Sequence, residues 1–259
     1  MRTLIAALAL GLLASCAATP EAEIDPSVAG PTGVATAAAA AVADTNRPQA
    51  DRDRDAQRHP AEMLAFAQVQ PGQQIADLIP GGGYFTRLFS SVVGPQGHVY
   101  GVISPQQAAN TQNPPPINAL AADPAYANVS ALVSPFTSLP APQPLDLVWT
   151  AQNYHDLHLA RFNLDVAAVN RAIFDALKPG GLYVIVDHSA LAGADLSVAD
   201  TLHRIDQAIV RREVEAAGFV YEDELDVLRN PADARTVNVF EPSIRGNTDQ
   251  FVMRFRKPR

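Results

Sequence analysis

Asp77-Leu78-Ile79-Pro80-Gly81-Gly82-Gly83-Tyr84-Phe85-Thr86 joins two unlike segments. Residues 74–79 read as a strand, and residues 84–93 carry apolar side chains at helical spacing, so the three glycines form a strand-to-helix turn. Glycine lets a ligand approach the backbone with no Cβ in the way. The helix behind the turn directs unpaired N–H groups and a partial positive charge at the same spot, which suits a carboxylate. A turn needed only for helix packing has the same letters, so its meaning depends on its surroundings.

Outward from that turn, strand and helix patterns alternate. A strand over 98–103 completes a β-α-β unit, further strands are expected over 129–133, 145–150 and 182–187, and helices over 164–177 and 198–217. Upstream, Pro60 opens a helical pattern over 60–67 that ends at Pro71-Gly72. Two late strands, 222–228 and 251–256, follow with no helix between them. Parallel neighbours need a crossover connection, so the expected fold is α/β: a Rossmann-like, doubly wound, mostly parallel seven-stranded sheet with a C-terminal edge hairpin.

An acid at a strand end, a glycine-rich turn and an aromatic-Thr helix start resemble motif I of the class I S-adenosylmethionine-dependent methyltransferases. Leu145-Asp146-Leu147-Val148-Trp149 is similar to the fourth strand of that superfamily, and Lys178-Pro179-Gly180-Gly181 to the turn before its fifth. Tyr154-His155-Asp156, Asp187-His188, His203-Arg204-Ile205-Asp206 and Ile244-Arg245-Gly246 further resemble a bacterial group of predicted methyltransferases. The resemblance implies S-adenosylmethionine as cofactor, held by Asp77, Gly81, Gly82, Gly83, Tyr84, Ser104 and Asn153. Two positions depart from the pattern. Ile79 stands where the usual motif has glycine, and Ile103-Ser104 stand where a carboxylate usually holds the cofactor ribose; Ser104, Gln106 and Asn110 offer only neutral groups.

Ligands of open α/β sheets bind beyond the carboxyl ends of the strands, where Asn153 to His158 and Asp187-His188-Ser189 are expected to project. The catalytic candidates are His155, Asp156, Asp187 and His188, with His155 as general base and Asp156 or Asp187 orienting it. The same side chains suit a divalent metal, for which His203 and Asp206 sit at i and i+3 of an expected helix; no metal ligand is assigned. Arg245 is expected to close over the cleft or to anchor the late loop. The alternative to an enzyme is a catalytically silent relative that binds a small ligand or an envelope partner.

Composition narrows the classes. With 47% hydrophobic residues and 18% charged in 259, the chain can bury one sizeable core. A formal charge of −8 argues against nucleic acid as partner. Lys178 and Lys257 are the only lysines, which excludes a GxxxxGK[ST] phosphate loop and a Tyr-x-x-x-Lys reductase pair.

The N-terminus reads separately. Met1-Arg2-Thr3, an apolar run over 4–13 and Ala14-Ser15-Cys16 have the order of a secretory signal, too short to span a bilayer. Leu13-Ala14-Ser15-Cys16 resembles a bacterial lipobox, which implies a signal peptide over 1–15 and lipidation of Cys16, the only cysteine. Ala17 in place of Asp implies the outer membrane, with the domain facing the periplasm and a small-molecule or envelope substrate. Residues 16–50, rich in Ala and Pro, are expected to be a disordered tether and 51–259 the folded domain, with Asp51-Arg52-Asp53-Arg54-Asp55 as a solvated approach.

Overall fold

The computed structural model describes residues 31–259; the expected signal peptide, Cys16 and the tether up to residue 30 lie outside the described residues. Helices α1 (Pro31–Ala43), α2 (Gln49–Arg52), α3 (Asp55–Arg58) and α4 (Pro60–Phe66) precede β1 (Gln74–Leu78), α5 (Tyr84–Val93) and β2 (His98–Ile103). Then come α6 (Pro105–Ala108), α7 (Pro116–Ala122), β3 (Val129–Val133), β4 (Leu145–Ala151), α8 (Val166–Ala176) and β5 (Leu177–His188). The chain ends with α9 (Ser197–Leu202), α10 (Gln207–Ala216), β6 (Val220–Glu224) and β7 (Gln250–Arg256).

The strands form one seven-stranded sheet in the order β3-β2-β1-β4-β5-β7-β6. The first five pair in parallel, and β7 runs antiparallel to β5 and β6. The expected doubly wound architecture is present, although a long loop, residues 225–249, joins the two antiparallel strands. Alternation along each strand supplies two cores. Ile75, Leu147, Trp149 and Val184 pack with α1, α4 and α5 on one face, while Ala76, Val148, Tyr183 and Ile185 pack with α8 and α10 on the other. Helices on both faces keep these strands out of water, which is why they read as nearly continuous apolar runs.

Three expectations change. The tether expected over 16–50 contains α1, whose Ala38 and Ala41 are buried in the first core, so the folded domain includes residues expected to be tether. Small side chains let that helix approach the core closely without an aromatic anchor. The helix expected over 198–217 is two helices: His203 takes a left-handed conformation (φ 52°) at the end of α9, and Asp206 caps α10 by accepting from Ala208 N at 2.9 Å. His203 and Asp206 therefore do not share a helix face. The strand expected over 222–228 lies at Val220–Glu224. Among the described residues no helix is long and apolar enough to cross a membrane.

Candidate active site

The strand order reverses between β1 and β4, and a cavity of about 600 Å³ opens there at their carboxyl ends. That is the crevice in which open α/β sheets hold ligands. The glycine turn forms one wall. A Cβ built on Gly81 or Gly82 meets no atom within 4 Å, so this backbone is open to a ligand, whereas one on Gly83 lies 2.9 Å from Leu120 Cδ2. Ile79, where glycine is usual, takes φ 55°, a strained conformation for a β-branched residue. Asn153 Nδ2 holds the turn by donating to Ile79 O at 3.1 Å and to Ala151 O at 2.7 Å. Gln152 (φ 64°) and His203 also line the cavity in left-handed conformations, so backbone strain gathers around it.

Asp77 is buried at the end of β1 and accepts from Thr86 Oγ1 at 2.6 Å. Burial pushes its carboxyl up to about 7 against the pull of Thr86 and Arg58, so it stands between its charged and neutral forms near neutral pH. Trp149, in β4, lines the cavity between Phe85 and Phe89, and its buried Nε1 has no hydrogen-bond partner among the described residues. A buried indole N–H ordinarily has one.

The segment expected as a solvated approach instead folds against this wall. Arg47 pairs with Asp55 through both carboxylate oxygens, at 2.8 and 2.7 Å, and Tyr84 Oη donates to Asp55 Oδ1 at 2.6 Å. Asp51 is buried and accepts from Arg87 at 2.9 Å. Arg54 and Arg58, one helical turn apart, both line the cavity. Arg58 stacks 4.9 Å from the Tyr84 ring centroid and donates to Gln152 Oε1 at 3.1 Å, with no ion pair among the described residues. Burial and the neighbouring Arg54 lower its pKa to about 10, which leaves it charged at neutral pH.

Across the cavity is a histidine cluster. His155 opens a short 3-10 turn after β4 (His155–His158), and Asp187 ends the buried run of β5. The two carboxylate oxygens of Asp187 take His155 Nδ1 at 2.8 Å and His155 N at 2.7 Å, fixing ring and backbone together. His155 Nε2 then faces His203 Nδ1 at 3.3 Å and Asp156 Oδ1 at 3.4 Å. Burial alone would lower the His155 pKa, but the Asp187 charge and hydrogen bond outweigh it and raise it; against burial, the same pair lowers Asp187. Burial raises Asp156. Burial also lowers His188 to about 4, so it is neutral at physiological pH, with Nδ1 2.7 Å from Thr248 Oγ1.

No protein-family model and no curated protein matches the chain. Solved structures do. A methyltransferase from Aquifex aeolicus described as S-adenosylmethionine-dependent superposes with a TM-score of 0.57 at 16% identity, covering 88% of this chain and 98% of that one. The fold is that of S-adenosylmethionine-dependent methyltransferases. A candidate methyltransferase of Bacillus halodurans gives a TM-score of 0.53 at 16% identity, covering 77% and 98% of the two chains. A candidate sarcosine dimethylglycine methyltransferase from Galdieria sulphuraria gives 0.53 at 18%, covering 78% and 85%. Identities this low bear on the methyltransferase fold alone, and the chemistry rests on the residues.

Of the residues expected to hold cofactor, Asp77, Gly81, Gly82, Tyr84 and Asn153 line the cavity. Gly83 instead begins α5 against Leu120. Ser104 does not line the cavity: it caps α6, accepting from Gln107 N at 3.1 Å, while its own N–H donates to the Gln107 side chain at 2.9 Å. The Ser-x-x-Gln pattern of that capping box was present in the sequence. Of the catalytic candidates, His155, Asp156 and His188 line the cavity, and Asp187 lies fully buried behind His155. Arg245 is not at the cavity; the late loop contributes Val239 and Phe240. His158 faces Glu213 at 3.0 Å, away from the cluster. The expectation missed Arg54, Arg58, Arg161 and Gln152, of which the first two carried a signal in their i, i+4 spacing.

The cavity suits the amino-acid end of S-adenosylmethionine. Gly81 and Gly82 leave the backbone open, and Arg54 and Arg58 match a carboxylate.

Proposed function

We propose that the chain is an S-adenosylmethionine-dependent methyltransferase of the bacterial envelope, tethered through a lipidated Cys16 and acting on a small molecule or envelope component with an O–H or N–H acceptor. The observation that carries this reading is the Asp187–His155 pair, set in the same cavity as the open glycine turn. When bound, the cofactor supplies a sulfonium methyl group and a neutral leaving sulfide. Gly81, Gly82, Arg54 and Arg58 would hold its carboxylate, and Asp77 would offer a carboxylate to its ammonium group. Asp187 keeps the Nδ1 proton of His155 in place, so the Nε2 lone pair takes the acceptor proton. Val239 and Phe240 of the late loop line the same cavity.

The outer membrane, with the domain facing the periplasm, is the proposed location, resting on the lipobox letters and Ala17. One observation favours the silent relative: Ser104 is tied into its helix cap and supplies no ribose partner. A single experiment separates these readings. Membranes from cells expressing the full chain or Cys16→Ala are fractionated, and the detergent-solubilised proteins are titrated calorimetrically with S-adenosylmethionine. Membrane association lost in the variant, binding in both, and transfer of labelled methyl to an envelope fraction are expected. Binding without transfer selects the silent relative; no heat at millimolar ligand sinks the methyltransferase.

A further inference from the structure

Three donor atoms converge where the histidine cluster meets the cavity. His155 Nε2 is 3.3 Å from His203 Nδ1 and 3.4 Å from Asp156 Oδ1, and the last two atoms are 3.8 Å apart. Ligands about 2.0–2.2 Å from a tetrahedral cation stand roughly 3.3–3.6 Å from one another. The observed triangle therefore closes on one ion with movements of tenths of an ångström. We propose that His155 Nε2, Asp156 Oδ1 and His203 Nδ1 form a binding site for a divalent transition metal of zinc type, with its remaining coordination position open to the cavity.

The donor set suits such a cation: two imidazoles and a carboxylate bind borderline metals, and three protein ligands with one open position is the arrangement of reactive rather than structural zinc sites. The supporting contacts are built. Asp187 accepts from His155 Nδ1 at 2.8 Å and takes the backbone N–H of the same residue, which fixes the tautomer that leaves Nε2 free to ligate. His203 reaches the triangle from a left-handed backbone (φ 52°) at the end of α9, a conformation that histidine adopts more readily than most residues, and its ring meets the other two donors there. The Asp156 and Asp187 carboxylates balance a charge of two. Phe240 packs its ring 5.0 Å from that of His203.

The ligand set differs from the helix-face pair of His203 and Asp206 suggested by sequence spacing. Because the helix breaks at His203, Asp206 turns to Ala208 N and Gly193 N, and Asp156 from the turn after β4 takes the third position. The site can form without the cofactor, since it depends only on three atoms and their supports, but it shares His155 with the proposed methyl transfer. A bound ion occupies the Nε2 lone pair, so the loaded protein has no base at His155.

The test uses the full chain carried on a histidine-free tag, stripped with chelator and titrated with zinc chloride by calorimetry, without cofactor. One equivalent binding with low-micromolar or tighter affinity is expected, unchanged in Cys16→Ser. His203→Asn, which tolerates the left-handed backbone, and Asp156→Asn each weaken binding at least tenfold with an unchanged far-ultraviolet circular dichroism spectrum. Asp187→Asn, with all three ligands intact, weakens it about 10–100-fold. Cobalt(II) gives visible bands of tetrahedral intensity that are lost in His203→Asn. No binding by the wild type at 100 µM zinc, or wild-type affinity in whichever ligand variant folds, overturns the site. Either result leaves cofactor binding, measured separately, untouched.

Discussion

His155 and Asp187 are 32 positions apart, and their pairing is a product of the parallel register that sets Ala151 of β4 beside Val186 of β5. Each residue was legible as a chemical group at a strand end. Their partnership was not, because the sequence does not state which strands are neighbours. The pairing has a measurable pH signature. The ring must be neutral to take a proton, and Asp187 raises its pKa above the ordinary 6.5, so the rate of methyl transfer climbs with pH through that raised value. Asp187→Asn removes the opposing charge. The acid limb of the pH–rate profile then moves to lower pH while kcat falls on the order of 10²-fold, through loss of the fixed tautomer. A limb that stays put or moves upward shows that Asp187 does not set His155. Stability obeys the same linkage: the histidine's share is fully present below pH 6.5 and is lost as pH rises through the raised pKa. Arg54 shows the opposite limit of sequence reading, since the alternating charges over 51–55 look solvated until Arg54 is seen to line the cavity beside Arg58 and the glycine turn.

At the level of elements, hydrophobic runs bounded by glycine and proline marked two strands on one side of the sheet closely: β2 and β3 begin and end where the pattern does. Breaks made by single residues were hidden. His203 ends a helix with no glycine or proline to announce it, and apolar spacing continues across the break through Leu202, Ile205 and Ile209. The glycine turn separates a packing role from a binding role within two residues. Gly83 is left-handed (φ 80°) and touches Leu120, so Gly83→Ala is expected to destabilise by about 1–2 kcal/mol for the backbone alone, more if Leu120 cannot yield. Gly82 has open space and an ordinary φ; Gly82→Ala is expected to leave the denaturant midpoint unchanged and to weaken S-adenosylmethionine binding at least tenfold. Equal stability losses in the two variants would remove the distinction.

On the scale of the whole molecule, the limit of the folded domain was the least legible feature. Alanine-rich sequence reads as tether because alanine alone cannot seed a core, yet α1 lies on one already made by α4 and α5. Arg47, its guanidinium buried over Tyr84, fastens the chain between α1 and α3 to the domain. A chain starting at Pro31 is therefore expected to melt at least about 5 °C above one starting at Pro48, which loses about two or more kcal/mol of packing and leaves Asp55 without its Arg47 partner. Coincident melting curves would return α1 to the tether. Trp149, the only tryptophan of the chain, gives the molecule a further property. Its ring is fully buried at the cavity, with no second indole to dilute its signal. Fluorescence excited at the red edge of the indole band, beyond the absorption of the six tyrosines, therefore comes from one place, and a single emission spectrum reports both what enters the cavity and whether the sheet around it is intact.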